Sequence, residues 1–103
     1  MTHEQLLLLK LMEECAEVAH RASKYIQFGG GDVQAGHTDT NRERLWGEIK
    51  DFLSTLVLLH GECIIPYPNP DELKQHAEMK KAKILKYKAY SQTLGRVEGD
   101  RLA

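Results

Sequence analysis

Apolar residues recur along this chain at helical spacing in three long stretches, and each stretch opens on a capping signal. In the first, a projection at about 100° per residue gathers Leu7, Leu8, Leu11, Met12, Cys15, Ala16, Val18, Ala19, Ala22 and Ile26 on one broad arc. Lys10, Glu13, Glu14, Glu17, His20, Arg21 and Lys24 fill the remainder. In the second, Leu45, Ile49, Phe52, Leu53, Leu56 and Leu59 make the core stripe. Thr2-x-x-Gln5 and Thr40-x-x-Glu43 read as capping boxes, and Asn69-Pro70-Asp71-Glu72 combines an Asn cap with Pro at the first helical position. Glycines mark the stops: Gly29-Gly30-Gly31, Gly61 or a turn beyond it, and Gly95. These signals predict helices over 3–28, 41–62 and 70–93, an all-α bundle of three main helices per chain. The first arc is too wide for one hairpin partner, and its small residues Cys15, Ala16, Ala19 and Ala22 favour close helix contact. The bundle is therefore expected to complete its core by oligomerising.

Two acidic pairs interrupt the pattern. Glu14-x-x-Glu17 and Glu48-x-x-Asp51 each put two carboxylates on one helix face, with Cβ atoms roughly 5–6 Å apart, and Glu13 adds a like-charge contact with Glu17. Glu48 projects beside Phe52 and Leu59, at the margin of the core, where an ionised carboxylate is costly unless it is paired or binds a metal. Two such clusters on two helices suggest a shared divalent cation. Mg²⁺ suits them best, because it takes oxygen ligands and binds phosphorylated substrates through shared coordination. The competing reading is a salt-bridged surface, with Glu17 paired to Arg21 and Asp51 to a neighbouring base.

Composition narrows the partners. At 103 residues and 42% hydrophobic the chain is expected to form one domain over 1–95, with a short flexible tail over 96–103. Fourteen basic residues against fifteen acidic leave a formal charge of −1, which gives no electrostatic footprint for a nucleic acid polymer or an acidic membrane. The longest apolar runs, Leu6 to Leu9 and Leu56 to Leu59, are far short of the roughly 20 residues that span a bilayer, and no cleavable signal precedes the first, so a cytoplasmic protein is expected. Cys15 and Cys63 form no Cys-x-x-Cys and read as two reduced core thiols. The histidines make no zinc site, since His60 and Cys63 lack two further ligands at suitable spacing. The link over 29–40 is long for a helical hairpin, and without a Gly-Lys-Ser/Thr it is not a P-loop. It reads either as a flexible flap beside the acidic cluster or as a disordered linker.

The run Glu13-Glu14-Cys15-Ala16-Glu17-Val18-Ala19, followed by Asn41-x-x-Arg44-Leu45-x-x-Glu48-x-x-Asp51-Phe52-Leu53, resembles the small all-α nucleoside triphosphate pyrophosphohydrolases of the MazG type. The resemblance spans about residues 6–60, and the lysine-rich third helix more loosely. It implies Mg²⁺-dependent cleavage of a nucleoside or deoxynucleoside triphosphate between the α and β phosphates, with Mn²⁺ as a substitute metal. The products are a monophosphate and pyrophosphate, and the enzyme is a homodimer or homotetramer. By this match Glu14, Glu17, Glu48 and Asp51 are the metal ligands, and Glu13 is an extra ligand or the base that deprotonates the attacking water. Asn41 and Arg44 are either a cap and a surface charge or, by the match, part of the nucleotide pocket.

Further candidates come from the residues themselves. Lys80, Lys83, Tyr87 and Tyr90 share one helical face that either meets triphosphate oxygens or is simply a solvated basic face. Lys24, on the acidic face of the first helix, has the same two readings, and Trp46 either stacks on a base or packs in an interface. A carboxylate-bridged di-iron bundle is the alternative enzyme class, since Glu17-x-x-His20 matches half of its ligand pattern, but no second Glu-x-x-His exists. A non-catalytic helical interaction module needs only the amphipathic faces and leaves Glu48 unexplained.

Overall fold

The computed structural model describes residues 1–67 and 69–98. It holds three helices, α1 (His3–Phe28), α2 (Asn41–Gly61) and α3 (Pro70–Thr93), so the expected all-α class is what the described residues form. No helix among them is long and apolar enough to cross a membrane. The chain divides into two compact units, Met1–Tyr67 with α1 and α2, and Pro68–Ala103 with α3.

All three helix starts follow from the capping residues. Thr2 and Gln5 exchange side-chain to backbone hydrogen bonds, as do Thr40 and Glu43, and the Asn69 Oδ1 accepts from the Glu72 amide at 2.7 Å ahead of Pro70. Each such cap is worth about 1 kcal/mol. At its C-terminus α3 ends as expected: Gly95 takes a left-handed φ of 70°, and the Arg96 amide donates to the Ser91 carbonyl in a Schellman motif. The stop of α2 falls within a residue of the expected bound. Gly61 is still helical, and the left-handed residue is Cys63 at φ 57°, with the Ile64 amide donating to the Leu59 carbonyl. A Cβ in that conformation costs about 1–2 kcal/mol, so the turn is set by the chain leaving the hairpin rather than by local preference.

In the first unit α1 and α2 run antiparallel. Arg42 Nη2 donates to the Tyr25 hydroxyl at 3.1 Å at the loop end, and His3 lies 3.5 Å from Glu62 at the other. The more buried positions step along each helix by four and three: Leu7, Leu11, Glu14, Val18, Arg21 and Tyr25 on α1, and Asn41, Leu45, Glu48, Phe52, Thr55 and Leu59 on α2. That rhythm is the seam of a two-helix coiled packing. Only Leu59 is a fully buried apolar side chain among the described residues. The remaining apolar arc lies open: Met12 is 68% and Ile26 84% exposed, and Cys15, Ala16 and Ala19 are exposed beside them. Leu53, expected in the core stripe, is 46% exposed because it falls one step off the seam. Cys15 and Cys63 are free, as expected, but both are exposed rather than core residues.

The link over 29–40 is neither a free flap nor a disordered linker. The Asn41 side chain, 2% exposed, donates to the Gly29 carbonyl at 3.0 Å, the Asn41 amide to Asp32 and the Arg42 amide to Gly30. A bridge joins Val33 to Thr40, and Gly30 lies so close beneath the Tyr25 ring that a Cβ there would collide with it. The loop closes on its own polar network at the end of the hairpin. In the second unit, Lys80, Lys83, Tyr87 and Tyr90 form an exposed stripe on α3. In the stretch expected as a tail, the Glu98 carbonyl accepts from Gln92 Nε2 at 2.8 Å, and residues 99–103 lie outside the described residues.

Candidate metal centre

The seam register places the acidic residues. Moving inward from the Tyr25–Arg42 and His3–Glu62 pairs brings Glu14 and Glu17 of α1 level with Glu48 and Asp51 of α2. Glu14, Glu17 and Glu48 each offer a carboxylate oxygen such that the three atoms lie within 4.8 Å of one another. Glu14 and Glu48 occupy seam positions and are half-buried, whereas Glu17 is exposed on the flank. Asp51 lies outside that close trio but near enough for its charge to act on both Glu14 and Glu48.

The trio is unneutralised. Among the described residues the ion pairs are His3–Glu62 and Lys10–Glu13, so neither bridge of the salt-bridged reading, Glu17 to Arg21 or Asp51 to a base, is formed. Glu14 Oε2 and Glu48 Oε2 are buried with no hydrogen-bond partner. The pKa values respond accordingly. Glu48 is raised above its ordinary 4.5, first because its protonated form donates a hydrogen bond to Glu17, then by burial and by the charges of Glu17, Asp51 and Glu14. Glu14 is raised by burial and by Glu17, Asp51 and Glu13, with Lys10 opposing. Both shifts mean that the site favours added positive charge.

Beside the trio is a cleft of about 360 Å³ lined by Ala16, Glu17, His20, Arg21 and Glu48. Arg21 is the residue that the sequence reading misses: it enters only as a surface partner of Glu17 in the salt-bridged alternative, yet it occupies a seam position, and its Nη1 is buried without a partner. Continuing the four-and-three step from Leu7, Leu11, Glu14 and Val18 would have found it. The opposite flank is apolar, with a smaller hollow of about 160 Å³ between Cys15, Val18 and Phe52.

The remaining candidates fall in different places. Glu13 lies outside the close trio, its carboxylate accepting from Lys10 Nζ at 3.1 Å. Lys24 lies on the cleft side of α1 with its ammonium 5.5 Å from the Phe28 ring centroid. Arg44 donates from Nη1 to Gln34 Oε1 at 2.7 Å, and Asn41 is bound into the loop, facing a hollow of about 170 Å³ with Phe28, Asp32, Val33, Gln34 and Ala35. Trp46 is 53% exposed. His60 is drawn into the turn that follows α2, with Nδ1 3.3 Å from the Ile65 carbonyl and its ring 5.2 Å from that of Tyr67. Lys80, Lys83, Tyr87 and Tyr90 belong to the other unit. No family model, no curated protein and no solved structure matches this chain.

Proposed function

We propose that the Glu14, Glu17 and Glu48 carboxylates bind a divalent cation, Mg²⁺ or Mn²⁺, and that the protein hydrolyses a nucleoside or deoxynucleoside triphosphate to the monophosphate and pyrophosphate. The observation that carries the reading is the trio itself: three carboxylates from two helices within 4.8 Å, two of them with buried oxygens that no donor satisfies. An all-oxygen, net anionic donor set of this kind fits a hard dication. The resemblance of the acidic pattern to that of the MazG-type pyrophosphohydrolases supports the reaction class. When bound, the cation neutralises phosphate charge and acidifies water, which is what phosphoanhydride hydrolysis needs.

The chain's own residues then divide the work. Glu14, Glu17 and Glu48 hold the ion, and Asp51 adds a fourth negative charge at the rim. Glu13 is left outside the trio, and its exposed pair with Lys10 is worth at most about 1 kcal/mol, so it is readily freed to accept a proton from water. Lys24 and Arg44, on the same flank, offer positive charge to the phosphates. The open apolar flank, with Met12 and Ile26 largely exposed, supports a homodimer or homotetramer. A nucleotide substrate fits a cytoplasmic protein.

Incubation with canonical, damaged and modified nucleotides and Mg²⁺, followed by ion-exchange analysis, tests the reaction. Monophosphate plus pyrophosphate is the expected product pair, and release of orthophosphate alone rejects the assignment. Light scattering at micromolar concentration tests the assembly, with a monomer mass as the contrary result. One observation keeps the di-iron reading alive: His20 lines the same cleft as Glu17 and Glu48. Charge-transfer absorbance on adding iron would favour it.

A further inference from the structure

We infer that Arg21, together with Arg44, forms a guanidinium layer one helical turn from the carboxylate trio, and that this layer grips the phosphate chain of a di- or triphosphate whose metal is held by the trio. The inference rests on the metal-site reading above and adds to it the group that binds the anion. Arg21 follows Glu17 by four residues on α1, and Arg44 precedes Glu48 by four on α2. Because the helices are antiparallel, both displacements run the same way, about 6 Å toward the loop end of the hairpin. The two arginine positions, one on each helix, therefore lie one turn nearer the loop than Glu17 and Glu48.

Neither arginine is used up by the fold. An i,i+4 arrangement ordinarily lets Arg21 reach back to Glu17, yet no ion pair joins them, and Arg21 Nη1 is buried in the wall of the cleft without an acceptor. Arg44 spends one N–H on Gln34, which fixes its direction and leaves the rest of its fork open. A buried guanidinium N–H that lacks an acceptor, facing a cleft beside a cation-hungry trio, fits a ligand that brings both acceptor oxygens and a dication. A polyphosphate with its metal does so, and the planar fork suits paired phosphate oxygens better than a lysine would. The carboxylates repel the bare anion, so binding must depend on the metal.

The test is calorimetric titration of inorganic pyrophosphate into the full chain, with and without Mg²⁺, for the parent, Arg21→Gln, Arg21→Lys and Arg42→Ala. Arg42 is the control, because its guanidinium is committed to Tyr25. Mg²⁺ binding alone should persist in Arg21→Gln, while Mg²⁺-dependent pyrophosphate affinity falls by about 10- to 100-fold, the usual loss for a charge-assisted hydrogen bond. Arg21→Lys should recover part of it, and Arg42→Ala should match the parent. With a nucleotide that is turned over, Arg21→Gln should raise KM more than it lowers kcat. Equal pyrophosphate binding by Arg21→Gln and the parent overturns the inference, as do equal losses in the Arg42 control, binding that ignores Mg²⁺, or failure of both Arg21 variants to fold. A parent that binds Mg²⁺–pyrophosphate through Arg21 yet cleaves no nucleotide would reject the proposed reaction while leaving this anion site standing.

Discussion

Replacing Glu48 by Gln tests the metal site through stability as well as activity. In the metal-free protein Glu48 has carboxylate neighbours within 4.8 Å and a buried oxygen without a donor. At that separation each like-charge pair costs about 1 kcal/mol at the dielectric of water, reduced further by salt. The amide keeps the shape, removes the repulsion and offers an N–H to the acids around it, so Glu48→Gln should stabilise the metal-free protein by about 1 kcal/mol, or about 4 °C in Tm at this length. Metal inverts the ranking. For the parent, Mg²⁺ at 100 times its Kd adds about 2.7 kcal/mol, near 10 °C, and the variant should lose most of that gain along with turnover. Paired thermal melts in EDTA and in Mg²⁺, beside a product assay, measure all of this. A variant that melts well below the parent in EDTA yet stays active in Mg²⁺ would make Glu48 a structural partner and overturn the metal-site proposal.

Three other outcomes follow. Because the pKa values of Glu14 and Glu48 are raised in the fold, their contribution is full below about pH 4.5 and is lost as pH rises through the raised values; metal-free Tm should therefore fall as pH rises above 4.5, with a flatter profile in Glu48→Gln. Glu43 acts oppositely: its pKa is lowered by the Thr40 cap, so its contribution disappears only as pH drops below 4.5, and indistinguishable parent and Glu48→Gln profiles above pH 4.5 would count against the site. Asn41→Ala should cost about 1–3 kcal/mol through its lost bond to Gly29, with the Mg²⁺-induced shift unchanged because Glu48 is about 10 Å further along α2; a raised KM without destabilisation would instead make Asn41 a nucleotide contact. Cys63→Gly should raise denaturation stability by up to about 1 kcal/mol in urea melts by relieving the left-handed Cβ, and a loss would mean the thiol packs usefully.

Helix starts were legible in the sequence because capping is local: Thr2, Thr40 and Asn69 each meet a partner three residues away. The stop of α2 was legible to within a residue, but the left-handed turn at Cys63 was not, because a Cβ in that conformation runs against local preference. The acidic pairs were legible as faces, and their meeting across the hairpin as an expectation. What the pattern hid was rank: Glu14 and Glu48 lie in the seam, Asp51 and Glu13 at or beyond the rim, and Arg21 inside rather than out. A projection of one helix gives an arc, and only the partner helix decides which part of the arc becomes the seam. The closure of 29–40 was equally invisible, since Asn41 to Gly29 and Arg42 to Tyr25 are polar contacts between residues more than ten positions apart.

Seam carboxylates also bear on how this molecule responds to selection. Leucine at positions 14 and 48 would make the seam apolar without a break from Leu7 to Val18 on α1 and from Leu45 to Phe52 on α2. A library sorted only for thermal tolerance or expression should therefore enrich apolar residues at those two sites, and would erase the candidate centre while improving the hairpin. Sorting the same library in the presence of limiting Mg²⁺ should hold the acids in place. The difference between the two enrichment maps would score every position by use against upkeep, without any substrate having been identified.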